Sequence, residues 1–248
     1  MPSANALRLQ IERALEGRFP AALSPMPQTV RKTAAVGIAE IDSLLSGGFP
    51  VGAISEITGP ATSGRTCLAL AFLAEITSAG KVCAWVDVKD ALDPESAAAN
   101  GVCLRRLLWV RCRSEAGRAN GKPWTRLDQA LRAVDLLLQA GGFAAIVLDM
   151  GDTAGEHGRR IPLATWYRFR QAAEQARSCL VVLGSAAYAQ SSAEIVLECA
   201  PRGARGQTVL QGFAFDIRHR VISFPVQLDR KDRNDRRVGE LGSNARFP

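Results

Sequence analysis

Gly59-Pro60-Ala61-Thr62-Ser63-Gly64-Arg65-Thr66 fits the phosphate-binding pattern G-x-x-x-x-G-K-[ST] at every fixed position except one, where Arg65 replaces lysine. An apolar run, Ala53-Ile54-Ser55-Glu56-Ile57, precedes it, and an apolar helical stretch opens at Cys67. Strand, loop and helix in that order are the context such a loop requires. Its glycines let the backbone turn sharply, so that successive N–H groups point inward at an anion. The N-terminus of the following helix adds partial positive charge. Gly59, Ser63, Gly64, Arg65 and Thr66 are therefore the candidate nucleotide contacts of the loop.

Upstream, Val36–Leu45 reads as a short helical stretch and Gly47–Gly52 as a tight turn. Downstream, strands and helices alternate. Gly80 stops the helix that begins at Cys67. Val82–Asp87 is a continuous apolar run ending in a carboxylate, the pattern of a buried parallel strand. Pro94 starts a small helix, and Leu107–Val110 is another strand. Arg111–Arg126 is polar and basic and reads as a loop, closed by a Thr125/Asp128 pair at capping-box spacing. An apolar helical stripe through Leu127, Leu131, Val134 and Leu138 follows. Phe143–Asp149 is a buried strand, again ending in Asp, and Ala164–Arg177 is the next helix, with Pro162 at its start. Cys179–Leu183 is the last strand of the alternating set.

That alternation predicts an α/β fold: a mainly parallel sheet with helices on both faces. After Ser185 the helical signal stops, and Ala193–Cys199, Thr208–Ile217 and Val221–Leu228 read as strands extending the sheet antiparallel. Three segments result: an N-terminal helix and linker over 1–35, a core over 36–228, and a basic, polar tail over 229–248 with the composition of disorder. In the first segment Leu7, Ile11 and Leu15 form one helical stripe, and Pro20, Pro25 and Pro27 break the pattern behind it. Such a helix docks on its own core or on a partner.

The formal charge is +7, which points to acidic partners, nucleic acid first, or simply to a soluble basic protein. Six cysteines fall mostly in apolar runs with no C-x-x-C, and only two histidines accompany them. They read as small buried residues in a reducing compartment, without a metal site. No apolar run reaches the roughly 18 residues of a membrane span, and no signal-peptide core precedes the fold, so the cytoplasm is the expected location.

These motifs together resemble the RecA family, from about Val36 to about Arg202. The signature consists of Gly47-Gly48-Phe49-Pro50-Val51-Gly52 ahead of the loop strand, Asp87 followed by Ala91-Leu92-Asp93-Pro94, and Ile146-Val147-Leu148-Asp149 in the Walker B place. The resemblance implies a RecA-like core with ATP and magnesium at the loop, Asp149 standing behind the metal. Three departures bear on activity. Arg65 keeps the charge of the phosphate-loop lysine but not its compact ammonium. The position of the glutamate that activates water is Lys89, which has no acceptor. The γ-phosphate-sensing Asn-Gln pair is replaced by Gly184-Ser185. The departures thus imply no catalytic residue and no efficient turnover, and they leave two alternatives at the loop: ATP and magnesium held without hydrolysis, or no cofactor at all.

The longer DNA-binding loop of RecA is reduced to Ala186–Ser192, with Tyr188 its sole aromatic. Arg159 and Arg160 keep the place of the other loop. With Arg105, Arg106, Arg111 and Arg113 they are candidates for nucleic-acid or partner contact. Eroded motifs, short length and basic tail are similar to the ImuA group, also described as SulA/RecA-like proteins. That similarity implies an accessory role in damage-induced translesion synthesis. The partners it implies are an ImuB-type homologue of Y-family polymerases, an error-prone replicative-type polymerase and RecA itself. A divergent DNA-dependent ATPase or recombinase is the alternative, and a SulA-like inhibitor of cell division is the next.

Overall fold

In the computed structural model, which describes residues 31–113, 118–119, 122–123, 125–152, 160–205 and 212–220, the apolar runs become strands of one seven-stranded sheet. The strands are β1 (Thr33–Ala34), β2 (Phe49–Pro50), β3 (Ile54–Thr58), β4 (Cys83–Asp87), β5 (Leu107–Arg111), β6 (Arg118–Ala119), β7 (Lys122–Pro123), β8 (Ala145–Asp149), β9 (Cys179–Gly184), β10 (Ala193–Arg205) and β11 (Gly212–Arg220). The large sheet has the order β11-β10-β3-β9-β8-β4-β5. Every neighbouring pair in it is parallel except β10 and β11.

Among the described residues five α-helices accompany it: α1 (Ala39–Leu44), α2 (Arg65–Ser78), α3 (Pro94–Ala99), α4 (Arg126–Ala140) and α5 (Leu163–Ala176). Because successive side chains of a strand point to opposite faces, each central strand feeds two cores. Trp85, Val147 and Val181 face the α1/α2 side with Ile41, Phe72 and Leu73. Ala84, Ile146 and Leu180 face the α4/α5 side with Val134, Trp166 and Phe169. Strands buried on both faces read as unbroken apolar runs, which is why alternation is missing from their sequences.

The helix ends follow local chemistry. Asp93 caps α3, accepting from the N–H groups of Glu95 at 3.3 Å and Ser96 at 3.0 Å. Thr125 and Asp128 form a reciprocal capping box, with Asp closing it as Glu usually does: Asp128 N–H donates to Thr125 Oγ1 at 3.1 Å, and Thr125 N–H to Asp128 Oδ2 at 3.0 Å.

Several expectations are corrected. The region after Ser185 does not extend the sheet antiparallel throughout, because β10 lies parallel to β3 and only β11 reverses. Eight residues, 185–192, carry the chain across β3 rather than folding it back as a hairpin. Arg111 ends β5 instead of opening a loop, and β6 and β7 form a two-residue antiparallel ladder within the stretch expected to be irregular. The Gly47–Gly52 turn contains β2, which pairs with β1. Cys83, Cys112, Cys179 and Cys199 are buried, but Cys67 and Cys103 are exposed. The stretch with Leu7, Ile11 and Leu15 that the sequence reads as a helix, the segment 221–228, the tail 229–248 and Arg159 lie outside the described residues. Among the described residues no helix is long and apolar enough to cross a membrane.

Candidate functional site

The loop Gly59–Thr66 joins β3 to α2 at the carboxyl end of the sheet, where open α/β sheets hold their ligands. Two glycines there have no substitute. At Gly64, the residue preceding α2, φ is +84°, and a Cβ would lie 2.7 Å from the Phe215 ring. At Gly59 a Cβ would meet the Cys199 carbonyl oxygen at 2.3 Å and Ser63 Oγ at 2.5 Å. β10 and β11 therefore press against the loop from behind and fix its path. No side chain caps α2, so its first-turn N–H groups keep their capacity for an anion. Ser63 Oγ is buried without a hydrogen-bond partner. Thr66 is exposed at the loop's end.

Arg65 is buried at 9% exposure, and its guanidinium is held inside the protein. Nη1 donates to the Gly59 carbonyl at 2.5 Å, and Nη2 donates to Asp152 Oδ1 at 2.6 Å. One side chain thus ties the first residue of the loop to the segment that follows β8.

A cavity of about 510 Å3 opens beside this bridge, lined among others by Arg65, Thr66, Lys89, Asp93, Asp149 and Asp152. Its size suits a small-molecule ligand. Asp149 accepts from Gly151 N–H at 2.8 Å. Burial pushes its carboxyl up to about 6, the negative charges of Asp87 and Asp152 acting the same way and the Gly151 bond and Arg65 against. Thr66 and Asp149 are the oxygen donors that a hard cation such as magnesium requires, with phosphate oxygens of a ligand completing its shell. Among the described residues no group of three or more His, Cys, Asp or Glu forms a metal cage. The residues present fit a metal carried in with a nucleotide. Lys89 faces Gly151, where a Cβ would come within 2.7 Å of Lys89 Cγ, so the lysine position at the cleft depends on that glycine.

Asp87, paired in register with Asp149, is fully buried and structural. It accepts from Leu92 N–H at 2.8 Å, Lys89 N–H at 3.1 Å and Trp109 Nε1 at 3.3 Å. The Ala91-Leu92-Asp93-Pro94 turn is folded on this carboxylate.

The basic candidates divide. Arg111 binds Asp90 through two hydrogen bonds, Nε to Oδ1 at 2.5 Å and Nη2 to Oδ2 at 2.7 Å, and lies over the Trp109 ring at 4.7 Å. That bond, reinforced by the charges of Arg111, Arg113 and Arg126, holds the Asp90 carboxyl below its usual range. Arg106 donates to the Gly80 carbonyl at 2.5 Å, closing the end of α2. Arg105 and Arg160 are exposed, and the Arg113 backbone is clasped by the Gln129 side chain. Tyr188, the single aromatic of the shortened loop, is 2% exposed and bonded to Ser185, so it offers no stacking surface.

Three functional neighbours escape a reading of the sequence: Asp152, Asp90 and Glu56. Asp152 stands three residues beyond Asp149 in a polar loop, where only its acidity sets it apart. Asp90 carries a signal in its φ of +59°, but that is a property of the folded backbone. Glu56 is the one charged residue of its strand, and that anomaly was its signal.

The family of RecA N-terminal domains matches residues 22–154. Protein RecA of Crocosphaera subtropica is 37% identical over 118 residues, covering 48% of this chain and 30% of the relative. Protein RecA of Picosynechococcus sp. is 36% identical over 145 residues, covering 58% and 38%. Protein RecA of Brucella abortus is 36% identical over 162 residues, covering 62% and 42%. The chain thus spans less than half the length of these relatives. The crystal structure of the RadB recombinase shares the fold, with a TM-score of 0.51 and 18% identity over 74% of this chain and 95% of that one.

Proposed function

The chain belongs to the family of RecA N-terminal domains, and from that membership we propose a non-catalytic accessory protein of DNA-damage-induced translesion synthesis. It acts through protein contacts, with an ImuB-type homologue of Y-family polymerases, an error-prone replicative-type polymerase and RecA as its partners. It retains a site for magnesium–ATP that binds without efficient turnover. One observation carries the reading: Arg65, the cation of the phosphate loop, is anchored to the Gly59 carbonyl and, before any ligand arrives, paired with Asp152. Lys89 supports it, because a cation at the cleft has no lone pair with which to take a proton from water. Loss of a general base alone lowers turnover by about 10²- to 10⁴-fold.

A divergent DNA-dependent ATPase is the second reading, favoured by Thr66 and Asp149 lining one cavity, since those are the groups that hold a nucleotide-bound magnesium. Steady-state phosphate release with and without single-stranded DNA separates the two. Release at background level in both conditions supports the accessory role. Turnover that Asp149→Ala abolishes overturns it. For the partners, affinity capture from DNA-damaged cells of full chain and of a chain lacking 229–248 tests the tail. Equal recovery of every partner by both would remove the tail from the interface.

A further inference from the structure

The Arg65–Asp152 bridge spans 87 residues of sequence and joins the two loops that flank the cleft. Its partners differ in exposure: the Arg65 side chain is 10% exposed and that of Asp152 is 64% exposed. The buried guanidinium is anchored by its second hydrogen bond, to the Gly59 carbonyl, while the carboxylate sits at the mouth. A guanidinium binds carboxylate and phosphate through the same planar pairs of N–H donors. Asp152 therefore offers Arg65 the geometry that a phosphate oxygen would offer it. The charges around the cavity point the same way: Asp93, Asp149 and Asp152 outnumber Arg65 and Lys89. A free polyphosphate meets a cleft whose carboxylates exceed its cations.

We propose that Asp152 is an internal competitor for the phosphate loop, setting the affinity of the cleft by holding Arg65 until a phosphate oxygen of a magnesium-complexed nucleotide displaces it. This rests on the reading of Gly59–Thr66 as a site for magnesium–ATP. Asp152 is a specificity-determining residue in this arrangement, not a catalytic one. Exchange of carboxylate for phosphate leaves Nη1 on Gly59, so the loop keeps its shape, and Asp152 swings into solvent, which its exposure permits. The bridge also explains how arginine is tolerated where lysine is the pattern: its second arm is satisfied within the protein when no ligand is bound. Removing the competitor acts on a mostly exposed residue, so the fold survives it.

The test measures binding of magnesium–ATP, and of inorganic tripolyphosphate with and without magnesium, by isothermal titration calorimetry on the full chain. Four proteins are compared: wild type, Asp152→Asn, Arg65→Ala and the double variant. Competition predicts that Asp152→Asn binds magnesium–ATP about tenfold tighter, the scale of one charge-assisted hydrogen bond. It predicts that the gain vanishes when Arg65 is alanine, and that Asp152→Asn relaxes the magnesium requirement for tripolyphosphate. Asp152→Ser serves as a second variant with the same expected direction. If wild type binds and Asp152→Asn binds no tighter, or its gain persists without Arg65, the competition is overturned while the nucleotide site stands. Absence of binding in all proteins at millimolar ligand overturns the nucleotide site and the competition with it.

Discussion

The backbone N–H of Tyr188 donates to Glu56 Oε1 at 2.6 Å, across 132 residues, from the segment that links β9 to β10 onto the middle of β3. Ala189 N–H donates to the same oxygen at 3.0 Å. One carboxylate in a central strand thus pins the crossover that lets β10 run parallel to β3. Glu56 is fully buried, so nothing replaces those bonds when it is lost. Glu56→Ala should destabilise the protein by about 3 kcal/mol, since each stranded buried N–H costs about 1–3 kcal/mol. Urea unfolding followed by circular dichroism reads this directly. A loss below about 1 kcal/mol would show that the crossover holds without its anchor.

The same pair marks what was legible in the sequence and what was not. Strands β3, β4, β8 and β9 announce themselves as apolar runs because both faces of each are buried. Pro94 and the Thr125/Asp128 pair announce their helix starts because a helix start is a matter of three or four residues. The antiparallel expectation for β10 came from the end of the helical signal after Ser185. Glu56 anchors the short crossover from beneath, and a contact over such a separation leaves no local pattern. Arg65 was recognised as anomalous from its motif alone. Its carboxylate partner was not, because pairing across the mouth of a cleft depends on where two loops meet in space.

Gly64 is held at φ +84° with the Phe215 ring against the place where a Cβ would be. Gly64→Ala should cost about 2 kcal/mol, about 1 from the left-handed backbone and the remainder from the ring contact. Phe215→Leu in the same chain should return only the second share. A melting series of the two single variants and the double variant tests that coupling. Strictly additive losses would mean that ring and loop do not press on each other.

Arg111 stood among the candidates for contact with a nucleic-acid backbone, yet Asp90 holds it with two hydrogen bonds. Asp90→Asn keeps a residue that tolerates the positive φ while removing the charge. Fluorescence anisotropy with a labelled single-stranded oligonucleotide should then show about three- to fivefold tighter binding at low salt. The slope of log affinity against log salt should steepen by about 0.7, the value for one more phosphate contact on a single strand. Arg111→Ala should abolish that gain. Identical binding by wild type and Asp90→Asn would remove this arginine from any nucleic-acid surface.

Glu56 also fixes the sign of a pH dependence. Burial raises its carboxyl above the ordinary value of 4.5, outweighing the bonds from Ala189 and Tyr188 and the charge of Arg220. The folded state therefore holds the proton to higher pH than the unfolded chain does, and ionising Glu56 opposes folding. Its contribution is fully present below the unfolded value and is lost as pH rises through the folded one. Asp90 and Asp93, whose carboxyls are held low by hydrogen bonds from Arg111 and Ser96, act in the opposite sense and weaken the fold on acidification. The total curve mixes both, so the informative quantity is the stability of wild type minus that of Glu56→Gln at each pH. Glutamine keeps an oxygen for Tyr188 and Ala189 but cannot ionise. That difference should be largest in favour of wild type at acid pH and decline as the pH rises through the folded value. Urea midpoints taken from pH 4 to pH 8 would reveal it, and a flat difference would mean that Glu56 carries the same proton in both states.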